Sequence, residues 1–212
     1  EGVRCVVLTG AGRGFCSGQD LTDARAALDV EATLRDEYEP MLGAIRACRA
    51  PVIAAVNGVA AGAGANLALA CDLVIAAESA SFIQAFTRIG LIPDAGGTWF
   101  IPRQIGHARA MGMMLLAEPV PAAQAAEWGL IWQAVPDADF DAAVAARAGQ
   151  LAAGPTGCYR AIRQALAAAS QNGLSAQLAL EAQLQGEASR RADFREGVTA
   201  FLEKRPARFT GA

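Results

Sequence analysis

The sequence predicts an α/β domain extended by a helical C-terminal region. Three observations predict it. Apolar runs at 3–9, 52–56 and 73–77 alternate with segments of helical spacing, glycine-rich breakers separate them, and beyond Asp139 no strand-like run returns. With 53% hydrophobic and 18% charged residues in 212, the chain has ample apolar surface to offset the entropy of ordering.

Taken in order, residues 3–9 read as a buried strand that stops at Gly10, Gly12 and Gly14. From Leu34, the residues Leu34, Tyr38, Met41, Leu42 and Ile45 keep helical spacing, with Pro40 as a kink or a helix start. A second strand is expected at 52–56. Gly58, Gly62 and Gly64 then turn the chain into a short Ala- and Leu-rich helix near 65–71, before a third strand at 73–77. After Gly96 and Gly97, helices are expected around 103–117 and 121–128, where Pro121 suits a first helical turn and Gly129 a C-terminal stop. One more strand is expected at 130–135. From Asp139 only helices follow, broken at Gly154-Pro155 and Asn172-Gly173. The expected division is a core over residues 1–138 and a helical region over 139–212, whose Ala-rich faces suit close packing against a partner subunit. No internal repeat of about 20 to 50 residues recurs.

Eighteen Lys and Arg against 21 Asp and Glu give a net charge of −3, without the broad basic field that nucleic-acid binding needs. The weakly polar stretch 51–71 is interrupted by Asn57 and Asn66 and makes a poor membrane span. The chain opens at Glu1 without an initiator Met or a charged leader, so the natural N-terminus is expected to lie upstream. Five cysteines without a CxxC pair, and the single His107, suggest a reduced, cytoplasmic protein without a structural metal.

Four stretches invite chemistry. Thr9-Gly10-Ala11-Gly12-Arg13-Gly14 follows a strand as a dinucleotide phosphate turn does, but Phe15 stands where that fingerprint needs glycine. Gly14-Phe15-Cys16-Ser17-Gly18 has the shape of a nucleophile elbow, yet the polar segment after it shows no helical periodicity, which favours Cys16 as a small buried side chain. The glycine-rich run 58–66 is either a tight connection or an anion site of unpaired N–H groups, and lacks the GKS or GKT of a P-loop. Asp94, set among Pro93, Ala95, Gly96 and Gly97, is either a turn former or N-cap, or a carboxyl partly desolvated beside Ile92, Trp99 and Phe86, with its pKa raised toward the range useful for moving protons.

Together, Phe15-Cys16-Ser17-Gly18-Gln19-Asp20-Leu21, Ala55-Val56-Asn57-Gly58-Val59-Ala60-Ala61-Gly62-Ala63-Gly64, Cys71-Asp72 and Gly90-Leu91-Ile92-Pro93-Asp94-Ala95-Gly96-Gly97-Thr98 resemble the enoyl-CoA hydratase/isomerase (crotonase) family. The likeness continues through Ala125-Ala126-Glu127-Trp128-Gly129-Leu130 to Glu196-Gly197-Val198-Thr199-Ala200-Phe201-Leu202-Glu203-Lys204-Arg205. It implies a crotonase-like (ClpP/crotonase) spiral of β-β-α units, capped by C-terminal helices that form a homotrimer or a hexamer as a dimer of trimers. Family members usually begin with a hairpin region that this chain lacks.

The resemblance also implies the site. The main-chain N–H groups of Gln19 and Ala63 would polarise an acyl-CoA thioester carbonyl, as prepositioned donors stabilise enolate charge. Asn66 and Phe86 occupy the positions of the two hydratase glutamates, while Asp94 occupies the position of family members that rely on an aspartate. The implied activity is an acyl-CoA isomerase, converting ring-epoxidised phenylacetyl-CoA to oxepin-CoA or shifting the double bond of 3-enoyl-CoA. The implied substrate pocket includes Phe86, Asn66 and Trp99, and CoA contacts come from Arg13, Ser17, Asp20 and Lys204, with Arg88 and Arg205 as further cations. Coenzyme A is then part of the substrate, and no separate cofactor or metal is expected. The rival activities are hydration, a dehalogenase-like use of Asp94 as nucleophile, and a noncatalytic CoA-binding scaffold.

Overall fold

The computed structural model describes residues 2–22 and 29–211. One compact unit is formed by the described residues of 7–48 and 52–145. Its strands come in successive pairs. β1 (Val6–Thr9) and β2 (Gly14–Cys16) precede α1 (Val30–Thr33), a π-helical turn (Leu34–Tyr38) and α2 (Glu39–Ala47). β3 (Val52–Val56) and β4 (Val59–Ala61) lead into α3 (Ala63–Leu69), and β5 (Leu73–Ala77) and β6 (Ser81–Ile83) lead through a 3-10 turn (Ala85–Ile89) into α4 (Gly97–Leu116). β7 (Val120–Pro121), α5 (Ala122–Trp128) and β8 (Gln133–Val135) complete the set.

Strands β1 to β6 alternate between two four-stranded sheets, ordered β1-β3-β5-β8 and β2-β4-β6-β7, with β7 beside β6 in the second. Ile53 pairs with Leu73 and Ile75 with Gln133 in one sheet, and Val59 with Ser81 in the other, all in parallel register. Only β6–β7 among the paired strands described is antiparallel. Strand, strand, helix thus repeats as a spiral, where the sequence suggested single strands between helices. The second strand of each turn was illegible because β2, β4 and β6 have three residues each, too few for a period-of-two pattern. The strands at 52–56 and 73–77 stand where expected because they run through the core: every residue of β3 is buried.

Alanines along β3, α3 and β5 let the layers approach closely around Phe82, Ile53, Ile75, Ile101 and Leu130, all under 2% exposed. The first strand is shorter than expected and the helix expected at 103–117 begins earlier, at Gly97, carrying Pro102 inside it and bending at Gly106. Pro40 lies two residues after the π-helical turn, inside a helical run that continues from Val30 to Ala47, so its missing N–H falls where the hydrogen-bond ladder changes from π to α.

The second unit comprises the described residues of 1–6, 49–51 and 146–212. After α6 (Phe140–Ala153), α7 (Thr156–Ala169) and α8 (Leu174–Ser189) start just past the expected breakers, and a further break at Arg191 precedes α9 (Ala192–Leu202). Within this unit Arg4 donates to the carbonyls of Phe209 (2.8 Å) and Gly154. The buried Asp193 accepts from Thr210 N (2.7 Å) and Gly211 N (2.9 Å), fastening the segment after α9. Among the described residues no helix is long and apolar enough to cross a membrane, and no three His, Cys, Asp or Glu gather to hold a metal.

Candidate active site

A cavity of about 430 Å³ opens within the first unit, bounded by the segment 17–21, the start of α3, the 3-10 turn and the helical stretch from Val30 to Tyr38. Gln19, Ala63 and Asp94 all line it. The local chain dictates why they converge. Gly18 holds φ +86, and a Cβ there would lie 2.9 Å from Ala61 O and 3.3 Å from Ala63 N, so only glycine lets the two backbone segments touch. Gly62 turns the chain at φ 55 into α3, and Ala63 is the first helical residue, whose N–H has no acceptor inside the helix. The Phe86 ring lies beneath Gly62 and is 7% exposed. The segment of Gln19 and the start of α3 therefore meet beside one apolar wall.

Asp94 approaches from the segment between the 3-10 turn and α4. Its carbonyl accepts from Gly97 N at 2.8 Å and from Asn66 Nδ2 at 2.8 Å. The next residue, Ala95, holds φ 45, a left-handed conformation that a residue with a Cβ adopts at a cost of about 1 kcal/mol or more. The Asp94 side chain does not cap α4: Gly96 is the N-cap, without a side-chain bond, and Asp94 Oδ1 is buried with no hydrogen-bond partner among the described residues. Desolvation pushes its pKa up from 3.8 to about 6. Of the two readings left open by the sequence, the geometry favours the desolvated carboxyl.

The other expected residues scatter. Ser17 and Asp20 line the cavity at exposed positions, and Thr22, through its hydroxyl and then its N–H, holds the Asp20 carboxyl below its usual range. Asn66 is fully buried but faces away from the cavity, joined to Gln84 by Nε2–Oδ1 (2.9 Å) as well as to Asp94. Trp99 is also outside the lining; it meets Phe100 edge-on at 5.1 Å and lies under the Arg103 guanidinium at 4.3 Å, because α4 turns its ring toward those partners. Arg13 is exposed in the β1–β2 connection, which joins strand to strand and so offers no helix start for a dinucleotide phosphate. Arg88 lines the cavity, though its Nη2 donates to Ala117 O at 2.6 Å. Lys204 and Arg205 belong to the second unit, where Arg205 pairs with Glu196 at 2.7 Å.

Sequence reasoning missed Tyr38 as a site residue. Its hydroxyl donates to Gln19 Oε1 at 2.8 Å, and burial, with the nearby Asp94 charge, raises its pKa above the ordinary value. Leu34 and Tyr38 carry the apolar period of a core-facing helix, yet that face lines a cavity, a difference no periodicity encodes.

A cavity lined by one desolvated acid and by the first residue of a helix suits proton transfer beside a carbonyl. The family model described as enoyl-CoA hydratase/isomerase matches residues 1–212. The chain belongs to the enoyl-CoA hydratase/isomerase family. It is 65% identical over 98% of its length to a protein of Rhodobacter capsulatus named "Probable enoyl-CoA hydratase", covering 81% of that protein. It is 51% identical over 99% of its length to 1,2-epoxyphenylacetyl-CoA isomerase of Escherichia coli, covering 82% of it. The crystal structure of an enoyl-CoA hydratase from a Polaromonas species superposes with a TM-score of 0.90 at 35% identity, over 97% of this chain and 82% of that one. This crotonase fold explains the β-β-α spiral, and the family's enzymes act on CoA thioesters.

Proposed function

We propose that this member is an acyl-CoA isomerase that converts ring-epoxidised phenylacetyl-CoA to oxepin-CoA and shifts the double bond of 3-enoyl-CoA. The observation that carries this reading is the buried Oδ1 of Asp94, without a partner among the described residues, in the cavity that Gln19 and Ala63 line. The Asp94 carboxylate takes the α-proton. The freed electron pair delocalises onto the thioester oxygen, which the two N–H groups hold, and the protonated carboxyl returns the same proton at the far end of the conjugated system. With the ring epoxide, the carbon–carbon bond shared by epoxide and six-membered ring also breaks, its electron pair entering the ring double bonds as the oxygen becomes a member of the seven-membered ring. One acid suffices, because no water or proton is gained and no redox change calls for a separate cofactor. Hydration instead needs a second group to handle water, and the hydratase positions hold a buried amide, Asn66, and an apolar ring, Phe86. Asp20 also lines the cavity, but at an exposed position, with Thr22 holding its carboxyl below the usual range.

The test follows conjugated enoyl-thioester absorbance with straight-chain 3-enoyl-CoA and the ring epoxide, for the parent and Asp94→Asn. The reading requires absorbance to grow with the parent and to slow by about 10² to 10⁴ in the variant. Faster hydration of 2-enoyl-CoA than either isomerisation sinks it, and so does entry of isotope from labelled water into the Asp94 carboxylate, the mark of a nucleophile. Binding of CoA esters without turnover favours the scaffold.

A further inference from the structure

A substrate whose ring carries an ether or epoxide oxygen brings an acceptor and no donor into the cavity. An acceptor buried without a partner opposes binding, so a cavity that takes it must offer a hydrogen. Other candidate donors on the lining are partly engaged or face water. The Thr33 hydroxyl donates to Asp29 O at 3.0 Å, Arg88 spends one of its five N–H donors on Ala117 O at 2.6 Å, and Ser17 is exposed.

The Tyr38–Gln19 pair is different. A hydroxyl and a carboxamide carry three hydrogens between them, and their mutual bond at 2.8 Å uses one. Among the described residues Gln19 Nε2 otherwise reaches only Asp20 O, at 3.5 Å, the far limit of such a bond. If the amide is turned over, Nε2 donates to Tyr38 Oη and the tyrosine hydrogen is released. In either state the pair keeps a donor to spend, on the same wall as Asp94. Tyr38 also ends the π-helical turn Leu34–Tyr38, an irregularity that recurs at functional sites.

We infer that the Tyr38–Gln19 pair is a specificity-determining element that donates a hydrogen bond to an oxygen on the ring of the acyl group, favouring oxygenated cyclic acyl thioesters over plain hydrocarbon ones. The inference deepens the isomerase reading and rests on it for the identity of the substrate class. Its test uses a matched, unreactive pair, cyclohexylacetyl-CoA and tetrahydropyranylacetyl-CoA, which differ by one ring oxygen. Dissociation constants are measured by calorimetry for the parent, Tyr38→Phe and Gln19→Leu, the last retaining its backbone N–H.

Tyr38→Phe is expected to weaken the oxygen-bearing ligand about tenfold relative to the cyclohexyl one, with Gln19→Leu moving the ratio in the same direction. Equal weakening of both ligands overturns the inference, since that is what lost packing or a disturbed Gln19 backbone produces. A ratio unmoved in both variants overturns it as well. The readout is binding, so its failure is separable from that of the isomerase reading: turnover intact with an unmoved ratio sinks the role of the pair alone, whereas a moved ratio without isomerisation sinks the reaction alone.

Discussion

Asp94 has an ionisation state set by its surroundings, and two measurements follow from that. In the folded chain its pKa lies at about 6 against an ordinary 3.8, with desolvation as the cause. As the acting base it must be ionised, so kcat/KM for the free enzyme should fall tenfold per pH unit below about 6 and level off above it. The linkage to stability has the opposite sense from that of a paired carboxylate. Below pH 3.8 both states hold the proton; as pH rises toward about 6 the unfolded chain ionises first and folding loses stability, a deficit that then stays constant. Asp94→Asn should therefore melt higher than the parent at neutral pH and equal to it in acid. A melting point for the variant below the parent's at neutral pH contradicts the desolvated carboxyl.

The elements supply the site through close approaches rather than through individual strong bonds. Gly18→Ala would force a Cβ within 2.9 Å of Ala61 O at a left-handed φ, costing about 1 to 2 kcal/mol by urea denaturation. The loss of turnover should exceed that, because the Gln19 and Ala63 donors are pushed apart. Asn66 ties α3 to the Asp94 segment and satisfies the buried Gln84. Its removal in Asn66→Ala should destabilise the chain by about 1 to 3 kcal/mol and lower kcat more than it raises KM. A turnover number unchanged in Asn66→Ala would show that the Asp94 carbonyl needs no such anchor. The half-buried Cys71, its thiol pushed up to about 12 by desolvation and then by Asp72, should react only slowly with alkylating agents while the protein is folded.

For the whole molecule, the family resemblance implied a homotrimer or hexamer, and we propose that the second unit supplies the contact. There Phe194, Val198, Phe201 and Leu202 of α9 are 52%, 43%, 82% and 73% exposed, an apolar row that water does not favour. Light scattering after size exclusion should give at least three chain masses for the parent and one for Phe201→Glu. A parent that runs as a monomer removes the proposal.

Some of this was settled by local sequence. The strands at 52–56 and 73–77, the stop at Gly129 and the helices after Asp139 were legible because a fully buried apolar run, a left-handed residue and a breaker each act within a few positions. The motif positions of Gln19, Ala63 and Asp94 were legible through family likeness. The tertiary structure decided what distance along the chain conceals. It split successive strands between two sheets, turned Asn66 and Trp99 away from the cavity, and exposed the Leu34 and Tyr38 face to it. A helix face looks the same in sequence whether it meets core or cavity, since both demand apolar side chains. Only the arrangement of the elements packed opposite determines which one it meets.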